Sequence, residues 1–186
     1  MAVRAKPVRR TVAAALRPAV GHLSGTAEEA RLANIELAVE RMMQSYHRWK
    51  SACLETVVPV QLTGDDITIL NVVRADQRAK KLAEVAGILN RSDTSNLQYA
   101  MRKLIKAGLV EKVGGGSRRD TAYRATELGV DVTRRYAEAR RRLLIRRLDA
   151  DATEAALQRA RELIEALTGC YEAATSEARA RRLRPV

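Results

Sequence analysis

The residues with the most informative chemistry lie between Asp93 and Ala107. An apolar stripe with helical spacing runs through this segment and leaves the polar side chains on the opposite side. Asn and Gln amides can pair with adenine, Arg with guanine, and Ser and Tyr hydroxyls with phosphates or base edges. The segment therefore predicts a helix suited to reading duplex DNA, with candidate contacts at Ser95, Asn96, Gln98, Tyr99, Arg102 and Lys103.

These six side chains do not all face one direction, because successive residues rotate by about 100° around a helix. Ser95, Asn96 and Tyr99 lie nearest the end that would enter a major groove, so they are the first candidates for base contacts. Taken alone, the same pattern is also typical of an amphipathic surface helix whose polar side faces water.

A predicted hairpin follows this helix and favours the DNA-binding interpretation. Leu109 to Val113 and Ala122 to Ala125 have strand character, and residues 114–120 form the turn between them. The turn contains three glycines followed by Arg118 and Arg119. Two guanidinium groups on a flexible tip suit a narrow minor groove, where the negative potential is enhanced.

The other elements that must position this unit are predicted to be helices. Thr26, Thr63 and Thr126 each suit the cap of a helix, and a short third helix should start between Arg78 and Lys80. The order helix, helix, short turn, helix and hairpin is that of a winged helix-turn-helix. The predicted fold class is mainly α, with a small β-hairpin wing and long N- and C-terminal helices for dimerisation.

The sequence divides into five parts. We assign a basic tail to residues 1–25, an N-terminal dimerisation helix to 26–58, the winged helix-turn-helix domain to 59–126, C-terminal dimerisation helices to 127–176 and a second basic tail to 177–186. One stripe of the N-terminal helix is apolar and needs a partner, either in the core or in a dimer interface. Its members are Ile35, Val39, Met42, Tyr46, Trp49 and Cys53.

Composition favours a polyanionic partner. The 34 Lys and Arg residues outnumber the 22 Asp and Glu residues, which gives a net charge of +12. Aromatic residues make up only 3% of the chain and Phe is missing, which argues against a stacking platform for single strands. Duplex DNA is therefore the expected nucleic acid.

Other classes of function find little support. Cys53 and Cys170 are isolated, and neither they nor His22 and His47 lie in a metal, nucleophile or phosphate-loop pattern. We therefore expect no cofactor, no metal and no enzymatic activity. The sequence has neither an apolar run of ~20 residues nor the apolar core of a signal peptide, so we expect a cytoplasmic protein that does not bind membranes.

Several segments resemble the MarR family of winged-helix regulators. Leu82 to Ala86 resembles the family's brace helix, Asp93 to Leu97 the start of its recognition helix, and Leu104 to Val110 the passage into its wing. Ala125 to Gly129 is similar to its closing Leu-Thr-Glu-x-Gly segment. The wing tip, Ser117 to Asp120, departs from the family's Asp-x-Arg order.

This resemblance implies a homodimer that reads a pseudo-palindromic operator, often under the control of a small-molecule effector. The predicted function is that of a sequence-specific transcription regulator that binds double-stranded DNA; the effector site is not identified. Two alternatives stay open. One is a nucleoid or replication-partition protein that binds DNA without sequence preference through its basic tails and arginine-rich fifth helix. The other is a scaffold whose winged helix binds another protein.

Overall fold

The computed structural model describes residues 21–23, 25–58, 61–114, 121–148 and 153–182. The described residues fall into two compact units, one up to residue 138 and the other from residue 139. Six α-helices account for most of them. These are α1 (Ala27–Glu55), α2 (Gly64–Arg74), α3 (Leu82–Ile88), α4 (Thr94–Lys106), α5 (Glu127–Leu143) and α6 (Glu154–Arg182).

Side-chain caps begin the helices where the sequence predicted them. Thr26 and Glu29 form a capping box at α1, in which the Glu29 amide donates to the Thr26 hydroxyl over 3.2 Å. Thr63 and Asp66 form a second one at α2. At α4 the Asp93 carboxylate accepts from the amides of the two residues Ser95 and Asn96, at 3.0 and 3.2 Å. Each cap satisfies amides that have no partner within the helix.

The sheet has three strands, one more than the predicted hairpin. The strands β1 (Lys80–Lys81), β2 (Val110–Val113) and β3 (Ala122–Ala125) lie antiparallel in the order β1-β3-β2. Lys80 lies opposite Tyr123, and α3 begins only at Leu82. The predicted start of the third helix between Arg78 and Lys80 was therefore wrong, because these residues lead into and form the strand that pairs with β3.

The connection before β1 is fixed by a buried lysine. Asp76 and Gln77 have φ angles of 55° and 58°, in the left-handed region. The Lys80 side chain is 1% exposed, and its ammonium group donates to the Val73 carbonyl at 3.4 Å, to the Ala75 carbonyl and to the Asp76 carboxylate. The hydrogen bond from Lys80 lowers the pKa of Asp76. These bonds satisfy a buried charge and close the end of α2.

The core of the first unit lies between α2, α4 and the sheet. Apolar side chains from α2, α3, α4, β2 and α5 and from the turn after α4 are buried there, including Ile67, Leu70, Val85, Leu97, Met101, Leu104, Leu109, Val110 and Val132. Gly129 makes the close contact between α5 and the end of α4 possible, because a Cβ at that position would lie 2.1 Å from the Leu109 carbonyl oxygen. Gly108, at φ +70°, ends α4 in the left-handed conformation that glycine adopts without steric cost.

Helices α1 and α2 cross at close range. A Cβ on Gly64 would lie 2.9 Å from both the His47 carbonyl oxygen and the Lys50 Cβ. The Gly64 amide donates to the Ser51 hydroxyl at 3.1 Å, and the Lys50 ammonium donates to the Thr68 hydroxyl at 2.8 Å. Burial lowers the pKa of Lys50. These hydrogen bonds, formed where the two helices approach too closely for a side chain on Gly64, hold α1 against the N-terminal end of α2.

The side chains of the predicted apolar stripe of α1 are buried at the C-terminal end of the helix and become exposed towards its N-terminal end. Cys53 is buried at 3% exposure, but Val39, Met42 and Tyr46 are 37%, 53% and 49% exposed. Within the described part of the chain these three side chains form an uncovered apolar surface.

The second unit contains the end of α5, a short 3₁₀ turn (Ile145–Arg147) and α6. Leu157, Leu163, Ile164 and Tyr171 of α6 are between 45% and 52% exposed. Helix α6 continues to Arg182 and so includes the first residues of the segment 177–186 that the sequence analysis assigns to a basic tail. The pattern Glu177 to Arg181 extends the helix with an i,i+4 ion pair at 2.6 Å. Most of the predicted tail 1–25 lies outside the described residues, although Gly21–Leu23 form a 3₁₀ turn.

None of the helices described is both long and apolar enough to cross a lipid bilayer.

Candidate nucleic-acid interface

Helix α4 turns one side to the core and the other outward. Leu97, Ala100, Met101 and Leu104 are buried. The outward side carries most of the predicted contact residues: Ser95, Asn96, Tyr99 and Arg102 are exposed, and Gln98 is half-buried. Tyr99 is 65% exposed, which is unusual for so large a side chain. The start of α4 therefore presents hydroxyl and amide groups to the surroundings.

Asn96 is oriented by its own helix cap. Its side-chain amide donates to the Asp93 carboxylate, the same group that accepts the first backbone amides of α4. This bond uses one donor and leaves the Asn96 carbonyl oxygen for another partner. Asp93 therefore caps the helix and fixes the orientation of its most exposed amide side chain.

Lys103 differs from the other predicted contacts. Its ammonium group lies 2.7 Å from the Asp66 carboxylate at the first turn of α2, and its side chain is 29% exposed. The structure therefore directs this cation towards the body of the domain. The partner lies 37 residues earlier in the chain, and nothing in the local sequence pattern around Lys103 points to it.

The two predicted arginines of the wing, Arg118 and Arg119, lie outside the described residues. The strands on either side of the tip are described, and Arg124 of β3 donates to Glu111 of β2 at 2.7 Å across the exposed face of the hairpin. This ion pair holds the two strands together below the tip.

A cleft between α4 and the sheet adds basic residues that sequence analysis missed. It encloses about 950 Å³, and its lining includes Lys81 of β1, Arg102 of α4 and Lys112 of β2. Polar side chains from Thr94, Gln98 and Thr121 also line it, and none of the described residues that form its lining is acidic. Three cations from three elements therefore line one concave surface, and positive charge of this kind favours contact with phosphates.

Neither Lys81 nor Lys112 has a local signal that marks it as functional. Lys81 lies in a two-residue strand, and Lys112 alternates with its neighbours along β2 as any exposed strand residue does. Their proximity results from the pairing of both β1 and β2 with β3.

The two cysteines lie in different surroundings. Cys53 is buried, and burial raises the pKa of its thiol, whereas Cys170 is exposed. Among the residues that the structure describes, no three His, Cys, Asp or Glu side chains are grouped so that they could hold a metal ion.

Comparison with known proteins gives two findings. Residues 62–129 match the family model of a winged helix DNA-binding domain. No curated protein sequence matches the chain significantly.

Solved structures share the fold over most of the chain. The transcriptional regulator BldR from Sulfolobus solfataricus is 18% identical with a TM-score of 0.61, and the match covers 75% of this chain and 98% of BldR. A MarR-family regulator from Rhodococcus is 18% identical with a TM-score of 0.56, over 77% and 97% of the two chains. A mutant MarR from E. coli, complexed with operator DNA, is 18% identical with a TM-score of 0.54, over 72% and 96%.

The family model covers the segment from α2 to the start of α5. The structural match to BldR covers a larger part of the chain, 75%, and therefore extends beyond that segment. The sequence resemblance is thus confirmed at the level of the fold: the chain contains a winged helix domain and has the architecture of the MarR-family regulators.

Proposed function

We propose that this protein is a transcription regulator that binds double-stranded DNA sequence-specifically as a homodimer. The observation that carries the proposal is the exposed start of α4 beside the basic cleft. In this arrangement α4 enters a major groove, and the phosphate backbone that borders the groove follows the cleft towards the wing. The relative from E. coli whose structure contains operator DNA has the same fold.

The residues divide into two groups with different roles. Asn96 and Tyr99, at the exposed start of α4, contact base edges and supply sequence preference. Lys81, Arg102 and Lys112 in the cleft, with Arg118 and Arg119 of the wing tip, contact phosphates or the minor groove and supply affinity. We propose Ser95 and Gln98 as further DNA contacts, because both lie near the exposed start of α4.

The homodimer is supported by uncovered apolar surface. Val39, Met42 and Tyr46 of α1 are exposed together, and α6 exposes a second apolar set. Apolar surface of this extent on a small protein is typical of an interface between protein chains. Two copies would present two α4 helices, which suits a pseudo-palindromic operator with half-sites about 34 Å apart. A protein of this kind works beside the chromosome, in the cytoplasm, and by binding rather than catalysis.

An effector would act through the distance between the two α4 helices. A ligand changes DNA affinity only as far as it prefers one arrangement of the dimer over another. Tyr46 and Trp49 of α1 are candidates for such a site, although Trp49 is half-buried and Tyr46 already contacts the Lys50 ammonium at 4.3 Å from its ring centre.

Selection of bound duplexes from a random pool tests the function. Enrichment of a sequence with two related half-sites is the expected result. Asn96→Ala and Tyr99→Ala should then weaken binding to the selected duplex more than to random duplexes, whereas Arg118→Ala and Arg119→Ala should weaken both. Equal losses for all four variants would contradict this division of roles.

One observation favours the non-specific alternative. Arg140, Arg141 and Arg142 at the end of α5 and Arg146 and Arg147 in the following turn are all exposed. No acidic residue lies between positions 139 and 148. Competition by unrelated duplexes separates the two functions, since a nucleoid-type protein would lose the labelled duplex to any competitor equally. Failure to bind duplexes even at low salt would favour the protein-interaction scaffold.

A further inference from the structure

Asp66, in the first turn of α2, is a buried acidic group that contacts α4. It is 3% exposed, and one oxygen of its carboxylate accepts three hydrogen bonds. The donors are the Thr63 amide at 2.7 Å, the Thr63 hydroxyl at 2.9 Å and the Lys103 ammonium at 2.7 Å. A buried carboxylate of this kind depends on its cation, because removing the partner leaves an uncompensated charge.

Lys103 connects that carboxylate to the middle of α4. Apolar side chains of both helices, among them Ile67, Leu70 and Leu104, are buried in the same core, and this burial sets which side of α4 faces inward. The ion pair adds an attraction between two particular side chains, which favours one rotation and height of α4 within the range that apolar packing allows.

A second ion pair has the same arrangement. Arg91, in the loop before α4, donates to Asp65. Both ion pairs therefore end on the first turn of α2, the turn whose Gly64 is in close contact with α1. Two adjacent aspartates in the first turn of α2 thus connect the start of α4 to the place where α2 contacts α1.

From this geometry we infer that Lys103 is a positioning residue, which acts through Asp66 to hold α4 in the orientation that DNA binding needs, and is not itself a phosphate contact. The inference rests on the proposed function. It changes the role of a residue that sequence analysis placed among the DNA contacts.

The two roles predict opposite effects of removing Asp66. If electrostatics alone mattered, Asp66→Asn would strengthen DNA binding, because it removes a negative charge near the interface and frees a lysine. If Lys103 positions α4, the same substitution weakens binding, because the bond that orients the helix loses its charge.

The experiment measures binding of the full chain to a duplex that the wild-type protein has selected, over a range of salt concentrations. The variants are Asp66→Asn, Lys103→Met, the double variant and Lys103→Arg, with Glu177→Gln as the matched control. Glu177 is an exposed acid of α6 that is also paired with a cation, Arg181. Thermal unfolding of each variant accompanies the binding data.

We expect Asp66→Asn and Lys103→Met each to weaken binding by on the order of tenfold, the size of coupling found within one hydrogen-bonded network. The salt dependence should stay that of the wild type, and the double variant should bind no worse than the weaker single variant. Lys103→Arg, which keeps a cation within reach of Asp66, should restore most of the affinity. Glu177→Gln should bind as well as the wild type or better.

The inference fails if Asp66→Asn binds DNA more tightly, or if Lys103→Met lowers the salt-dependence slope by about 1, the change expected for one lost phosphate contact. If Asp66→Asn does not fold, the comparison of Lys103→Met with Lys103→Arg still decides, since both leave the α2 cap intact. A wild-type protein that binds no duplex would contradict the proposed function itself, which is a different outcome.

Discussion

Single residues at this surface owe their roles to position more than to type. Lys81, Lys103 and Lys112 carry the same side chain, yet Lys103 pairs with Asp66 while the other two line an open cleft whose described lining contains no acidic residue. A lysine that already has a carboxylate partner has less to gain from a phosphate than one that faces water. Lysines of one chain are therefore expected to differ in their contribution to DNA affinity.

The cleft lysines should contribute affinity without sequence preference. Lys81→Gln and Lys112→Gln should each reduce the salt-dependence slope of binding by about 1, because each removes one phosphate contact. The loss of affinity should be similar for selected and random duplexes. Arg181→Gln serves as the control, since Arg181 pairs with Glu177 on α6. A loss confined to the selected duplex would mean that these lysines read bases.

The two thiols should differ in reactivity. Cys53 is buried and its raised pKa reduces the thiolate fraction near neutral pH, whereas Cys170 is exposed. A thiol-specific reagent at pH 7 should therefore label Cys170 in the native protein and both cysteines after denaturation. Mass spectrometry of the labelled peptides measures this directly, and rapid native labelling of Cys53 would show that the end of α1 opens readily.

At the scale of elements, helices with strong local signals were predictable and short strands were not. The caps at Thr26, Thr63 and Thr126 occur as predicted because they depend on residues within one turn. Strand β1 has two residues and no alternating pattern, and it exists only because β3 lies beside it. The cleft lysines were missed for the same reason: their convergence depends on strand pairing between distant segments.

The junction between α4 and α5 requires a glycine. Gly129→Ala should destabilise the protein by about 2–3 kcal/mol, because its Cβ would lie 2.1 Å from the Leu109 carbonyl oxygen, inside the contact distance, and the backbone would have to move. Urea unfolding of the purified chain measures the change. Gly87→Ala is the control: nothing lies within 4 Å of its Cβ position, so the substitution should be neutral or stabilising by up to about 1 kcal/mol. Equal stability of the two variants would mean that the junction adapts easily.

At the scale of the whole molecule, the sequence predicted the fold class and the order of elements, which the winged helix match and the structural relatives confirm. Periodicity also identified the stripe of α1, but it left open whether the partner was the core or a second chain. The structure shows the division along the helix: Cys53 is buried while Met42 and Tyr46 are not. Which part of the stripe is buried depends on the elements that pack against the helix, and the spacing of apolar residues does not specify those elements.

The exposed part of the stripe should hold the dimer together. Val39→Glu combined with Met42→Glu should produce a monomer, because two carboxylates would have to be buried in the interface. Sedimentation velocity measures the oligomeric state. Binding to a duplex with two half-sites should weaken strongly, while binding to a single half-site changes little. Gln44→Glu, on the opposite side of α1, should leave the dimer intact; a dimer that survives the double substitution would place the interface elsewhere.

The tight crossing of α1 and α2 at Gly64 has a mechanical consequence. Because a Cβ there would lie 2.9 Å from atoms of α1, neither helix can slide over the other, and the DNA-reading domain must follow any tilt of α1. With 29 residues at 1.5 Å per residue, α1 is about 43 Å long and acts as a lever. A tilt of roughly 5° moves its far end by ~3.8 Å, close to one base-pair step of about 3.4 Å. Very small angular changes would thus suffice to bring the two reading heads into or out of register with their operator.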